Sequence, residues 1–284
     1  MFKTPIFFSV DKLSISSPGC FGNTRVHTPG LDSLAVKSCV YDRVYAEDAD
    51  PRITLRKMWD SLDPISYPEG RFLLTDDAQI HPSSFFDDFL CVENFSQLTK
   101  MLECIQQELP DVFLWCHTQN VDINTLDSWV LTHEISALLS VRGMDVRKIT
   151  EEDAPEENLR RNMIHHQEVQ LPWWISFPDF LNLSGTRCKS LLAAEDFGKI
   201  LRTEDPQNIS REIIFIEDAP RWAVVTAEWF LTGDDRLDRK SEFPGELYLK
   251  PDDWWEQNDV SDRCPEIMEK LHALRSARFM PDTP

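Results

Sequence analysis

Ile6-Phe7-Phe8-Ser9-Val10-Asp11-Lys12-Leu13 is followed, after a short gap, by Gly19-Cys20-Phe21-Gly22-Asn23 and then by His27-Thr28-Pro29-Gly30-Leu31-Asp32-Ser33-Leu34-Ala35-Val36. The apolar run that stops at a carboxylate predicts a strand over 6–10, buried on both faces and opening into a loop at Asp11. Thr28 as a cap, Pro29 at the first helical position and apolar residues three and four apart predict a helix of about ten residues. Residues 39–45 then alternate as a second strand. Strand, helix and strand in that order begin an α/β sheet.

The same alternation continues outward. Arg71–Thr75 and residues 112–116 read as strands, and Phe95–Glu108 reads as an amphipathic helix, so the sheet is expected to be mainly parallel and flanked by helices. After Ser210 the texture changes. Residues 212–216, 222–230 and 246–249 read as strands with short turns and 265–275 as a closing helix, a small antiparallel α+β unit. The expected division is an α/β domain over 1–207 and this unit over 208–284. The acidic run with proline at 151–157 reads as an exposed loop or a helix start.

With 284 residues, 42% of them apolar, 9 Trp and 17 Phe, the chain carries enough large side chains for a packed core. Its net charge of −20 opposes close approach to nucleic acid or to anionic lipid, so neither is an expected partner. The acidity reads first as solubility, and it works against an anionic substrate unless a local basic pocket overrides it. Seven scattered cysteines suggest neither a disulfide framework nor a zinc site. The first residues lack the pattern of a secretory leader, and no apolar run spans a bilayer, so a cytoplasmic location is expected.

The opening stretch resembles the start of the sulfatase family of the alkaline phosphatase superfamily. In that family the first strand ends in two acidic residues, then come Gly-Cys-Tyr-Gly-Asn and Thr-Pro-Asn-Leu-Asp-x-Leu-Ala. Val169-Gln170-Leu171-Pro172-Trp173-Trp174-Ile175-Ser176-Phe177-Pro178 is similar to the family's Val-Arg-Val-Pro-Leu-x-Ile-x-x-Pro. Gly185-Thr186-Arg187 and 194–201 follow in the family's order, and Glu246-Leu247-Tyr248 with 250–260 resembles its closing pattern.

The resemblance implies a divalent cation held by several carboxylates, two of them at the end of the first strand. Those positions are Asp11 and Lys12, and an ammonium there opposes a cation. The family's nucleophile follows the second strand. Setting Pro51-Arg52-Ile53-Thr54-Leu55-Arg56 against the variant Pro-Thr-Ile-Pro-Ala-Arg places Arg52 at the nucleophile position and Arg56 at the supporting arginine. Arginine stays protonated and does not attack an ester. A shifted register offers Thr54 but loses the neighbouring proline. The Asp-His/Asn-Gly turn that supplies further metal ligands does not occur in the chain. Near its expected place stand Gly143-Met144-Asp145 and the adjacent His165 and His166, read as a surface pair. Asp122 occupies the position of a substrate-contacting histidine, and His117 reads as a structural residue.

These substitutions lead to the expectation of a pseudo-sulfatase without cofactor. Lys12, Arg52 and Arg56 would make the old centre cationic and suited to a small anion, unless they serve only to neutralise Asp48, Asp50 and Asp11. The alternative is a metal-dependent sulfuric or phosphoric ester hydrolase with a rearranged centre, in which Asp11, Asp76 and Asp77 hold calcium or magnesium. A third reading makes the chain an interaction subunit, binding a protein partner or its own copy through Trp173-Trp174 and Trp254-Trp255.

Overall fold

A computed structural model describes residues 5–62, 70–109, 111–143, 163–176, 181–203, 205–236 and 243–278. Its first part contains β1 (Ile6–Val10), α1 (Pro29–Lys37), β2 (Cys39–Tyr45), α2 (Pro51–Asp60), β3 (Arg71–Thr75), β4 (Asp88–Cys91), α3 (Phe95–Glu108), β5 (Phe113–Thr118), α4 (Ile123–Thr132) and β6 (Ala137–Ser140). It continues with the single-turn α5 (His166–Val169), β7 (Gln170–Ile175), the short β8 (Arg187–Cys188) and β9 (Leu192–Ala193), and α6 (Phe197–Arg202). Nine strands form one sheet in the order β4-β3-β5-β1-β6-β7-β2-β8, with β9 also on β2. Neighbours pair in parallel, except that β7 runs antiparallel to both β6 and β2.

Every residue of β1 is buried because the sheet is covered on both faces. Ile6, Phe8 and Val10 face a core shared with α1, α3 and α4. Phe7 faces the opposite core, with Trp115, Trp173 and Phe197. Each such side chain, taken fully out of water, contributes on the order of 2 kcal/mol. The packing of α1 on α4 needs Gly30. A Cβ there would lie 2.0 Å from the Asp127 carbonyl oxygen, and the Asp127 carboxylate accepts the Leu31 amide at the start of α1.

The second sheet is antiparallel, in the order β10 (Ile213–Asp218), β11 (Arg221–Thr226), β12 (Trp229–Asp234), β13 (Glu246–Leu249). One face packs Trp222, Val224, Leu231 and Leu247 against Met268 and Leu271 of α7 (Pro265–Arg278). The other gives Ile214, Ile216, Ala223, Val225, Phe230 and Tyr248 to the core that contains Tyr41 and Val44 of β2. The architecture is therefore α/β, with a mostly parallel sheet between helices and an appended antiparallel sheet with one helix.

Two sequence expectations change. The stretch 222–230 is not one strand. It is most of β11, a turn and the start of β12, because the Thr226 hydroxyl accepts the amides of Glu228 and Trp229 and turns the chain. Trp173 and Trp174 are not a contact surface, since both are fully buried, on opposite faces of β7 in the two different cores. The acidic run at 151–157 and Asp145 lie outside the described residues. Among the described residues, no helix is long and apolar enough to cross a membrane.

Candidate functional site

Parallel strands β1, β3, β5 and β6 end along one edge of the sheet, where α/β proteins place their ligand sites. Asp11 stands at the end of β1, its amide donating to the Thr118 carbonyl at the end of β5. Its carboxylate is clasped by Arg142, just beyond β6, with Nε 3.1 Å from Oδ1 and Nη2 3.0 Å from Oδ2. Burial pushes the Asp11 carboxyl up, and Arg142 only partly pulls it back. Lys12, the next residue, is exposed in a left-handed conformation with φ of 62°.

At the end of β3, Asp76 is buried and spends one oxygen on the Thr118 hydroxyl at 2.7 Å and the other on the Gln119 amide at 2.8 Å. Asp77 accepts the Gln79 amide at 2.9 Å. Among the described residues, no three of His, Cys, Asp and Glu are placed together to hold a metal ion. Among the described residues, Asp11 as it stands does not fit a divalent cation, because a guanidinium already covers both of its carboxylate oxygens.

Asp50 caps α2, and its carboxylate also receives Nε and Nη2 of Arg52, while Arg52 Nη1 reaches Gln79 at 2.8 Å. Arg52 and Arg56 line one cleft of 570 Å3 with Trp59, Gln79 and His81. Asp11 and Lys12 do not line it, so the structure brings two of the three expected cations together and leaves Lys12 apart. Thr54 lies buried in α2, 3.5 Å from the carbonyls of Asp48 and Asp50. His117 is buried and bonded to Ser9 Oγ at 3.0 Å, as a structural residue would be, and burial lowers its pKa to about 3. Asp122 caps α4 by accepting the amides of Asn124 and Thr125.

A second cleft, of 810 Å3, was not anticipated from the sequence. It lies between the loop after β1, strands β2 and β7, and the segment after β13, and its lining includes Tyr45, His166, Gln170, Arg187 and Lys250. The two histidines are not a surface pair. They begin α5 instead of lying in a strand, and Glu256 binds His165 Nδ1 at 2.9 Å and the His166 amide at 2.7 Å. His166 Nε2 meets the Tyr45 hydroxyl at 2.7 Å. Burial, then Lys250 and Arg43, hold His166 well below the usual imidazole range. Cleft residues come from segments far apart in sequence. The only local hint was the aromatic pair Trp254-Trp255.

Among solved structures, a Bacteroides thetaiotaomicron sulfatase from a locus for metabolism of multiple glycosaminoglycans superposes with a TM-score of 0.67 at 15% identity, over 97% of this chain and 98% of that one. A protein in complex with its substrate D-glucosamine-2-N,6-O-disulfate superposes with a TM-score of 0.69 at 10% identity, over 98% and 97%. The chain has a sulfatase fold. A Vibrio parahaemolyticus protein of the alkaline phosphatase superfamily shares the sulfatase fold more distantly, with a TM-score of 0.57 at 9% identity over 94% of this chain and 87% of that one. No protein-family model matches the sequence. No curated protein matches it. At these identities the likeness is one of architecture, and the chemistry of this sulfatase-fold chain rests on its own side chains.

Proposed function

We propose that this chain is a pseudo-sulfatase, a sulfatase-fold protein that binds an anion at its strand-end edge and does not hydrolyse the ester. The observation that carries the reading is the two-point clasp of Asp11 by Arg142. Ester cleavage on this fold needs a cation to gather the anionic oxygens and a nucleophile beside it. Here Lys12 follows Asp11, and Arg52 stands at the start of α2. Arg56, one helical turn after Arg52, shares its cleft and adds a second guanidinium for a sulfate-sized anion.

Calorimetry with inorganic sulfate should detect binding that weakens about tenfold, or ~1.4 kcal/mol, in Arg56→Ala. The protein should turn over neither 4-nitrophenyl sulfate nor 4-nitrophenyl phosphate with calcium, magnesium, manganese or zinc. Turnover that depends on a divalent ion and disappears in Asp11→Asn would instead establish the second reading, a hydrolase with Asp11, Asp76 and Asp77 as ligands. That reading is favoured by one feature: Asp11 and Asp76 end strands on either side of β5. It requires Arg142 to release Asp11.

A further inference from the structure

The 810 Å3 cleft reverses the charge of the molecule around it. Among the described residues, five cationic side chains, those of Arg25, Arg43, Arg187, Lys189 and Lys250, share its lining with a single carboxylate, Asp42, in a chain of net charge −20. Arg43 is held by neutral groups, the carbonyls of Thr226 at 3.2 Å and Ala227 at 2.7 Å, which fix the guanidinium without cancelling its charge. Lys250 is 4% exposed and is anchored chiefly by the Asp253 carbonyl at 2.7 Å, with Glu256 farther off at 3.5 Å. Arg187 pairs with Asp42 at 3.2 Å and lies over the Phe21 ring. A wall with fixed, incompletely neutralised cations favours an anion.

The same wall holds unspent hydrogen-bonding groups. Asp42 Oδ1, Gln170 Oε1 and His166 Nδ1 are buried without a hydrogen-bond partner, and His166 is only 2% exposed. Each such group costs about 1–3 kcal/mol unless something supplies its partner. Two of the three are acceptors, which suit hydroxyl or amino donors. Indoles complete the site. Trp254 is half-buried, its ring 5.2 Å from that of His166, and Trp255 is 63% exposed on the same lining. An exposed indole beside cations is a stacking surface. The volume falls within the ~300–1,000 Å3 of small-molecule sites.

We propose that this cleft binds a small organic anion built on a ring: the charged group at Arg25, Arg187 and Lys189, the ring against Trp254 and Trp255, and donors toward Asp42 and Gln170. None of Asp11, Lys12, Arg52, Arg56, Asp76 and Asp77 lines it, so it is a cleft separate from the one at Arg52 and Arg56. A nucleoside monophosphate and an acidic sugar both present this chemistry. Titrations with adenosine 5′-monophosphate and with glucuronate, followed by calorimetry and tryptophan fluorescence, distinguish the two sources.

One of the two is expected to bind and quench tryptophan emission. The double variant Arg25→Ala/Lys189→Ala should weaken it at least about tenfold, or ~1.4 kcal/mol, and Trp255→Ala should remove most of the quenching. All three residues are exposed, so these variants should fold, as circular dichroism would verify. The double variant Arg52→Ala/Arg56→Ala should leave binding unchanged. The proposal is overturned if neither compound binds at millimolar concentration, if inorganic sulfate quenches equally, or if binding depends on Arg52 and Arg56 and not on Arg25 and Lys189. That last result would leave the anion-binding reading of the strand ends intact. Ester turnover would remove that reading and leave this one.

Discussion

Asp11 and Arg142 are separated by 131 residues, yet they meet at the strand-end edge. Cutting Arg142 back to Ala leaves a mostly buried carboxylate without its partner. The expected loss is about 2–4 kcal/mol in urea unfolding, whereas the paired change Asp11→Asn/Arg142→Met should recover most of it, because the cost lies in the orphaned charge. Equal losses in the single and double variants would mean that the pair itself stabilises the fold. His117 gives a second prediction. Burial lowers its pKa to about 3 from an ordinary 6.5, so the unfolded chain takes up a proton that the folded chain refuses. The stability held by neutral His117 is therefore complete above pH 6.5 and is lost as pH falls from there toward 3, at up to about 1.4 kcal/mol per pH unit. His117→Gln should flatten unfolding stability against pH over that window, and an unchanged slope would assign it to other groups.

At the scale of elements, the start of α2 is organised by one carboxylate. Asp50 caps it and gathers Arg52 onto the same carboxylate. Asp50→Ala is expected to cost about 1 kcal/mol by thermal or urea unfolding, through the lost cap. It should also tighten sulfate binding in the adjacent cleft, since Arg52 is then released from its carboxylate. Weaker sulfate binding would mean that Asp50 positions Arg52 for the anion. The contrast between β1 and β4 explains which elements were legible. β1 is a continuous apolar run buried on both faces, so its sequence stands out, whereas β4 is a mostly exposed edge strand held by β3 alone. The strand-end positions were legible through the family pattern. Arg142 as the partner of Asp11 was not, because nothing local in either segment encodes a contact across the sheet. The 810 Å3 cleft was hidden for the same reason: Arg25, Tyr45, His166, Arg187 and Lys250 meet only after β2, β7 and the second sheet have assembled.

For the whole molecule, the second sheet shares an apolar core with the large sheet. Phe230, Tyr248, Ile214, Ile216, Ala223 and Val225 share one apolar cluster with Tyr41, Val44 and Trp173 of the large sheet. Arg221 of β11 is buried and donates to both oxygens of buried Glu168 in α5, at 3.1 and 3.0 Å. Removing residues 208–284 would expose that apolar wall and strip Glu168 of its guanidinium, and both losses fall on segments that build the 810 Å3 cleft. The full chain should therefore unfold in urea as one cooperative step, with tryptophan fluorescence and far-ultraviolet circular dichroism tracing the same curve. A fragment of residues 1–207 should show no cooperative transition. Two separated transitions in the full chain, or a fragment that melts sharply, would restore independent folding on either side of residue 207 and make the shared core incidental to stability.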